Sequence, residues 1–201
     1  FYFLYLNDQS ELNSLFDITV YLLIGLVPLI AMKSEHIDNF SINRNNLSKR
    51  VISKHILDLL FSQQLTVLLY LFYTLTIPLI LFIVGSLDVG VFIIGFIGLF
   101  FISSIFIALG ILLSCFIKQP ISLVITHIFC NYILFHLNSQ IIKFFTPSVM
   151  NSFTNLISLD FHFRFFTSGI LHLASLCYLV TFIFLLLFFS YFILHLKTSD
   201  Q

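Results

Sequence analysis

The sequence predicts an all-α integral membrane protein: a six-helix transmembrane bundle, its first helix truncated, with an extracytoplasmic re-entrant or amphipathic segment before the last helix. Three observations carry this. Of the 201 residues, 59% are hydrophobic and only 9% charged, with a mean hydropathy of +1.07, whereas soluble domains carry roughly 25% charged residues. The stretch 91–116, VFIIGFIGLFFISSIFIALGILLSCF, holds no charged residue. At about 1.5 Å per residue it is long enough to cross a hydrocarbon core of roughly 30 Å. Apolar runs of the same kind recur along the chain, separated by short polar segments.

The elements follow in order, as a single transmembrane domain over residues 1–201. The opening FYFLYL (1–6) is too short to span and lacks the charged flank of a signal peptide. It reads as the end of a first spanning helix whose beginning is missing. Residues 7–14 are polar, with Asp8 and Glu11. The second span is 15–32, with Asp17 near one end and Pro28 near the other. Residues 33–55 form a long charged loop. The third span, 56–84, carries Asp58, Gln63 and Gln64 in its first turns and Pro78 later. GSLDVG (85–90) is a helix-breaking turn. In the fourth span, 91–116, Gly95, Gly98, Ser103, Ser104, Ala108 and Gly110 recur at three- and four-residue spacings. Small residues let a neighbouring backbone approach closely in lipid. IKQP (117–120) is a tight connection whose proline starts the next helix. The spans 121–137 and 170–196 complete the set, with the mixed segment 138–169 between them.

The positive-inside rule orients the bundle. Lys33, Arg44, Lys49, Arg50 and Lys54 share one loop; Lys118 and Lys197 fall on the same side by helix counting. Seven of the nine basic residues therefore mark that side as cytoplasmic. The segment 138–169 is then extracytoplasmic. Its Phe144, Phe145, Val149, Phe153, Leu156 and Ile157 lie near helical spacing, which predicts one or two amphipathic helices at the outer leaflet. In the cytoplasmic loop, Leu47, Val51, Ile52 and His55 share one face and Ser48, Lys49, Arg50 and Lys54 the others. This predicts an amphipathic surface helix that anchors on anionic lipid or docks a partner.

Chemistry is sparse. A net charge of zero predicts no nucleic-acid partner. The sequence holds no phosphate-binding loop, no HExxH and no GxSxG, so no enzyme activity and no cofactor is expected. Cys115, Cys130 and Cys177 lie in apolar runs without CxxC spacing and read as packing residues. His127 and Asn131 stand four apart on one helix face, where they can line a polar path or bond between helices. With Asp58, a carboxylate at the membrane edge, they form the candidate polar pathway. His172 and His195 stand near opposite ends of the last helix.

The pattern resembles the membrane subunit of type-2 ABC exporters, and more narrowly the GldF-like permeases of gliding-motility transporters. PLIAMKS (28–34) resembles the family's PxxxM[RK]S at the end of the second helix, and Lys54 its lysine opening the third. Asp88-Val89-Gly90 and the glycine-rich helix after it resemble the family's fourth helix. SLDFHFRFFTSGILHLASLCY (158–178) resembles its histidine-containing link to a Gly-led last helix, with His162, Gly169 and Tyr178 at the matching positions. The chain departs from the family in the loop, where SEHIDNFSINRNNLSK lacks the Gly-Thr-x-Glu core.

The resemblance implies a permease in the bacterial inner membrane, pairing with a second membrane subunit and a cytoplasmic ABC ATPase. Glu35, Asp38, Arg44, Lys49 and Arg50 would touch the ATPase. Two further readings stand beside it: an ion-coupled carrier using Asp58, His127 and Asn131, and a membrane assembly subunit that transports nothing. A haem-exporter-like permease of the same superfamily is a variant of the permease reading, although no suitably placed haem-ligating pair appears.

Overall fold

The computed structural model describes residues 2–32, 49–74, 89–137 and 157–199, with side chains for 13–30, 56–72, 89–137 and 157–196. These residues form six helices and no strand: α1 (Tyr2–Met32), α2 (Lys49–Thr74), α3 (Val89–Ser114), α4 (Pro120–His136), α5 (Leu159–Thr167) and α6 (Leu173–Ser199). Among them three are long and apolar enough to cross a membrane, over Asn13–Ile30, Val89–Ser114 and Leu173–Leu196; Ile56–Phe72 and Pro120–His136 are shorter apolar helices. The chain is an α-helical membrane protein.

α3 is the axis. Some 61% of its span is buried, against 17% for α6, and α1, α2, α4, α5 and α6 all pack on it. Its glycines explain why. At Gly95 an added Cβ would collide with the Phe16 ring of α1. At Gly98 it would lie 2.7 Å from Phe166 Cβ and 3.2 Å from Phe163 Cδ2 of α5, and at Gly110 2.5 Å from His127 Cε1 of α4. Real side-chain carbons do not come so close, so each contact depends on the missing methyl group. Phe106, Ile102, Ile105 and Ile107 fill the space between and are completely buried.

Ring contacts set the directions. Phe16 of α1 meets Phe92 at the start of α3, and Phe72 near the end of α2 meets Phe96. Tyr21 meets Phe135 at the end of α4, and Phe135 meets Phe163 of α5. Gly169, just before α6, lies against Val91. One end of the bundle thus gathers the start of the apolar part of α1, the end of α2, the starts of α3 and α6, and all of α5. The link 117–119, with Lys118, lies at the other end, where Pro120 takes the first helical position of α4. There its missing N–H costs nothing.

Three expectations change. The break at 7–14 is not there: α1 runs unbroken from Tyr2 to Met32. Its polar residues Asn7, Asp8, Gln9 and Glu11 include no Gly or Pro, so nothing stops the helix. At about 1.5 Å per residue, 31 residues reach roughly 46 Å, well beyond the roughly 30 Å core. From Tyr2 on, the FYFLYL stretch is continuous with the second span. Likewise the amphipathic turn expected before the third span is continuous with it, because 49–74 contains no breaker. Of the outer segment, residues 138–156 lie outside the described residues. The described part is α5, which buries Leu159, His162, Phe163, Phe166 and Thr167 at helical spacing.

A substitution of Gly98 by Val should therefore lower stability by about 1–3 kcal/mol through overpacking, read as a drop in the thermal unfolding midpoint in detergent. Gly25→Ala is the control. Nothing lies within 4 Å of a Cβ there, and the midpoint should hold or rise.

Candidate functional site

The residues expected to touch an ATPase fall mostly outside the description. Glu35, Asp38 and Arg44 lie outside the described residues; Lys49 and Arg50 open α2, described by their backbone. Asp58 is exposed on the outside of α2, whereas His127 and Asn131 are completely buried on α4. The three do not come together. The pairing of His127 with Asn131 on one enclosed face is as the four-residue spacing predicts.

Two polar clasps organise the rest. Gln64 of α2 is buried and donates from Nε2 to the Phe100 carbonyl at 3.2 Å and to Ser103 Oγ at 3.0 Å. Ser103 in turn donates to the same carbonyl at 2.8 Å. This joins α2 to α3 near the middle of both helices. Beside it a groove of about 420 Å³ opens between α2, α3 and α6, lined by Phe61, Gln64, Leu68, Phe101, Ser104 and Phe184 among others. Its wall is almost wholly apolar, so it accepts hydrocarbon rather than a polar solute.

The second clasp ties α5 to α6. α5 ends in a Schellman turn: Gly169 N–H donates to the Phe166 carbonyl at 3.0 Å and Ile170 N–H to the Phe165 carbonyl at 2.9 Å. Gly169 supplies the left-handed φ of +76° this requires. The chain then re-enters a helix under a histidine cap. His172 Nδ1 accepts the Ser175 N–H at 3.3 Å, the position a capping oxygen normally serves.

That bond fixes the protons. With Nδ1 of His172 a lone pair, Ser175 Oγ–H donates to it at 3.1 Å. The serine has one proton, so towards His162 it accepts, from Nδ1–H at 3.1 Å. His162 stacks on Tyr178 with ring centroids 4.0 Å apart, and Tyr178 Oη–H donates to the Ile157 carbonyl at 2.7 Å. His162, Gly169 and Tyr178, which stand in the one segment 158–178, here belong to one interlocked unit. Ser175 was not singled out; its signal is its place three residues after a histidine at a helix start.

Among the described residues no group of three His, Cys, Asp or Glu side chains is placed to hold a metal ion. The ion pair Arg164–Asp160, 3.1 Å apart on the outer face of α5, is a surface pair four residues apart. Such a pair stabilises a helix by about 0.3–0.5 kcal/mol.

No family model, no curated protein and no solved structure matches this chain.

Ser175→Ala should remove the hydroxyl that bridges His162 and His172 and weaken the α6 cap, at a cost of about 0.5–1.5 kcal/mol. Hydrogen exchange in the first turn of α6 should quicken. Thr181→Ala, which removes an exposed hydroxyl bonded only within its own helix, should leave that turn unchanged.

Proposed function

We propose that this chain is the membrane-spanning permease subunit of an ATP-driven ABC transporter, of the exporter kind, seated with six or fewer passes in a bacterial inner membrane. A separate ATPase would bind at the basic end, through Glu35, Asp38, Arg44, Lys49 and Arg50. The observation that carries this reading is the continuity of α2. One unbroken helix, without proline, leads from Lys49 and Arg50 to Gln64, which is hydrogen-bonded into the middle of α3. A push on the loop end would move a rigid rod anchored in the axis of the bundle. Coupling of ATP hydrolysis to rocking between two states requires such a rod.

The α5–α6 unit supports the same reading. His162, Gly169 and Tyr178, positions on which the resemblance to gliding-motility permeases rests, each have a packing partner. The groove beside Gln64 suits an apolar or lipid-like substrate entering sideways from the bilayer. The ion-coupled carrier is the weaker alternative, because Asp58 stands apart from His127 and Asn131.

Mild-detergent purification followed by mass spectrometry should recover a stoichiometric ATPase that contains a phosphate-binding loop. Lys49→Glu with Arg50→Glu should lose that ATPase while the chain still inserts into the membrane. Co-purification undiminished by the charge reversal would remove the coupling role from these residues. Recovery of the folded chain with no ATPase would favour a carrier or an assembly subunit.

A further inference from the structure

On one face of α4, His127 and Asn131 stand a single turn apart, both completely buried. His127 Nε2–H donates to the Phe106 carbonyl at 2.8 Å. A carbonyl only accepts, so the proton of the neutral ring sits on Nε2 and Nδ1 carries a lone pair. That Nδ1 is buried and has no hydrogen-bond partner, and neither have Nδ2 and Oδ1 of Asn131. Three polar atoms within one helical turn are thus enclosed and unpaired. On one side α1 packs along α4, and its Val20, Leu23 and Val27 are buried in the apolar core. On the other side Gly110 of α3 has no side chain, and a Cβ there would stand 3.1 Å from Nδ1.

An unpaired buried amide costs about 1–3 kcal/mol, and a hydrocarbon surround gives it no relief. Native structures keep few such groups, and those they keep are paired with ordered water. The chemistry of this set points to one kind of ligand. His127 Nδ1 and Asn131 Oδ1 need donors, and Asn131 Nδ2 needs an acceptor. Neither side chain carries a charge to hold an ion. A water molecule donates twice and accepts twice, and two to four polar partners are what an internal water takes.

We propose that His127 and Asn131 form an internal water site between α1, α3 and α4, in which the water bridges His127 Nδ1 and the Asn131 amide near the middle of the bundle. The site is independent of any ATPase. It keeps the imidazole hydrogen-bonded at both nitrogens at a depth where lipid offers no partner.

The test is water-edited solid-state NMR on the full chain in lipid bilayers, with histidine and asparagine labelled with nitrogen-15. Magnetisation from water should reach His127 Nδ1 and the Asn131 side chain before it reaches the methyl groups of Leu23. The His127 signal is assigned by its loss in His127→Phe. In Asn131→Leu the transfer to His127 should fall to the level of those methyl groups, and the unfolding midpoint should drop. A wild-type chain whose His127 receives no early transfer overturns the site. So does undiminished transfer in Asn131→Leu, or a higher midpoint in that variant, since removing a bare amide stabilises and removing a bridged one does not. If Asn131→Leu does not fold, the wild-type transfer decides alone.

Discussion

The absence of side-chain carbon along α3 governs how this molecule packs. Between helices in lipid there is no hydrophobic driving force, since the acyl chains are as apolar as leucine. Association then depends on how closely surfaces fit. α3 solves this in one way three times: Gly95, Gly98 and Gly110 each receive a ring, from Phe16 of α1, from the Phe163–Phe166 pair of α5, and from His127 of α4. Rings are flat and rigid, so each docks in one orientation and loses little rotamer freedom on doing so. Three neighbours are thereby indexed along the same helix at different heights.

The remaining two neighbours, α2 and α6, also pack on α3, and polar bonds add direction to them. α2 is held by Gln64 on Ser103 and Phe100, and α6 is coupled to α5 by the serine between two imidazoles. Hydrogen bonds between membrane helices contribute modestly, on average about 0.6 kcal/mol, but they are directional. The glycine contacts make the bundle compact, and the polar bonds choose the register of α2 and α6 within it. The division suits a device that must move, because a few directional bonds can exchange while the ring-on-glycine contacts stay.

Much of this was legible in the residues. The starts of α4 and α6 follow from turn chemistry: a proline opens one, and the turn at Gly169 precedes the other; the expected turn at 85–90 lies mostly outside the described residues. Hydropathy and the small-residue spacing also singled out α3 as the organiser. The errors share a physical cause. Polarity predicts a loop at 7–14 and a separate helix before residue 56, yet polarity alone does not end a helix; only lost backbone geometry or a better partner does. The clasp at Ser175 was hidden for another reason. Serine in an apolar helix mostly bonds its own preceding carbonyl, as Ser190 does here, and nothing local marks the one that reaches across. Asp58, one turn from Lys54 and His55, reads as a carboxylate of the membrane edge, and its side chain is exposed on α2.

The length of α6 has a mechanical consequence. Its 24-residue apolar span is about 36 Å long, some 6 Å more than an average hydrocarbon core. A helix with excess length tilts, and the angle is set by its neighbours and by the bilayer. Here α6 is not free to tilt alone: Ser175, Leu179, Leu186 and Ser190 are buried along its length, and Tyr191 and Leu194 towards its far end still pack against the core. The excess length is therefore taken up by α6 together with α3, on which it packs. A thinner bilayer tilts the pair as one body, so membrane thickness acts on the bundle as a whole.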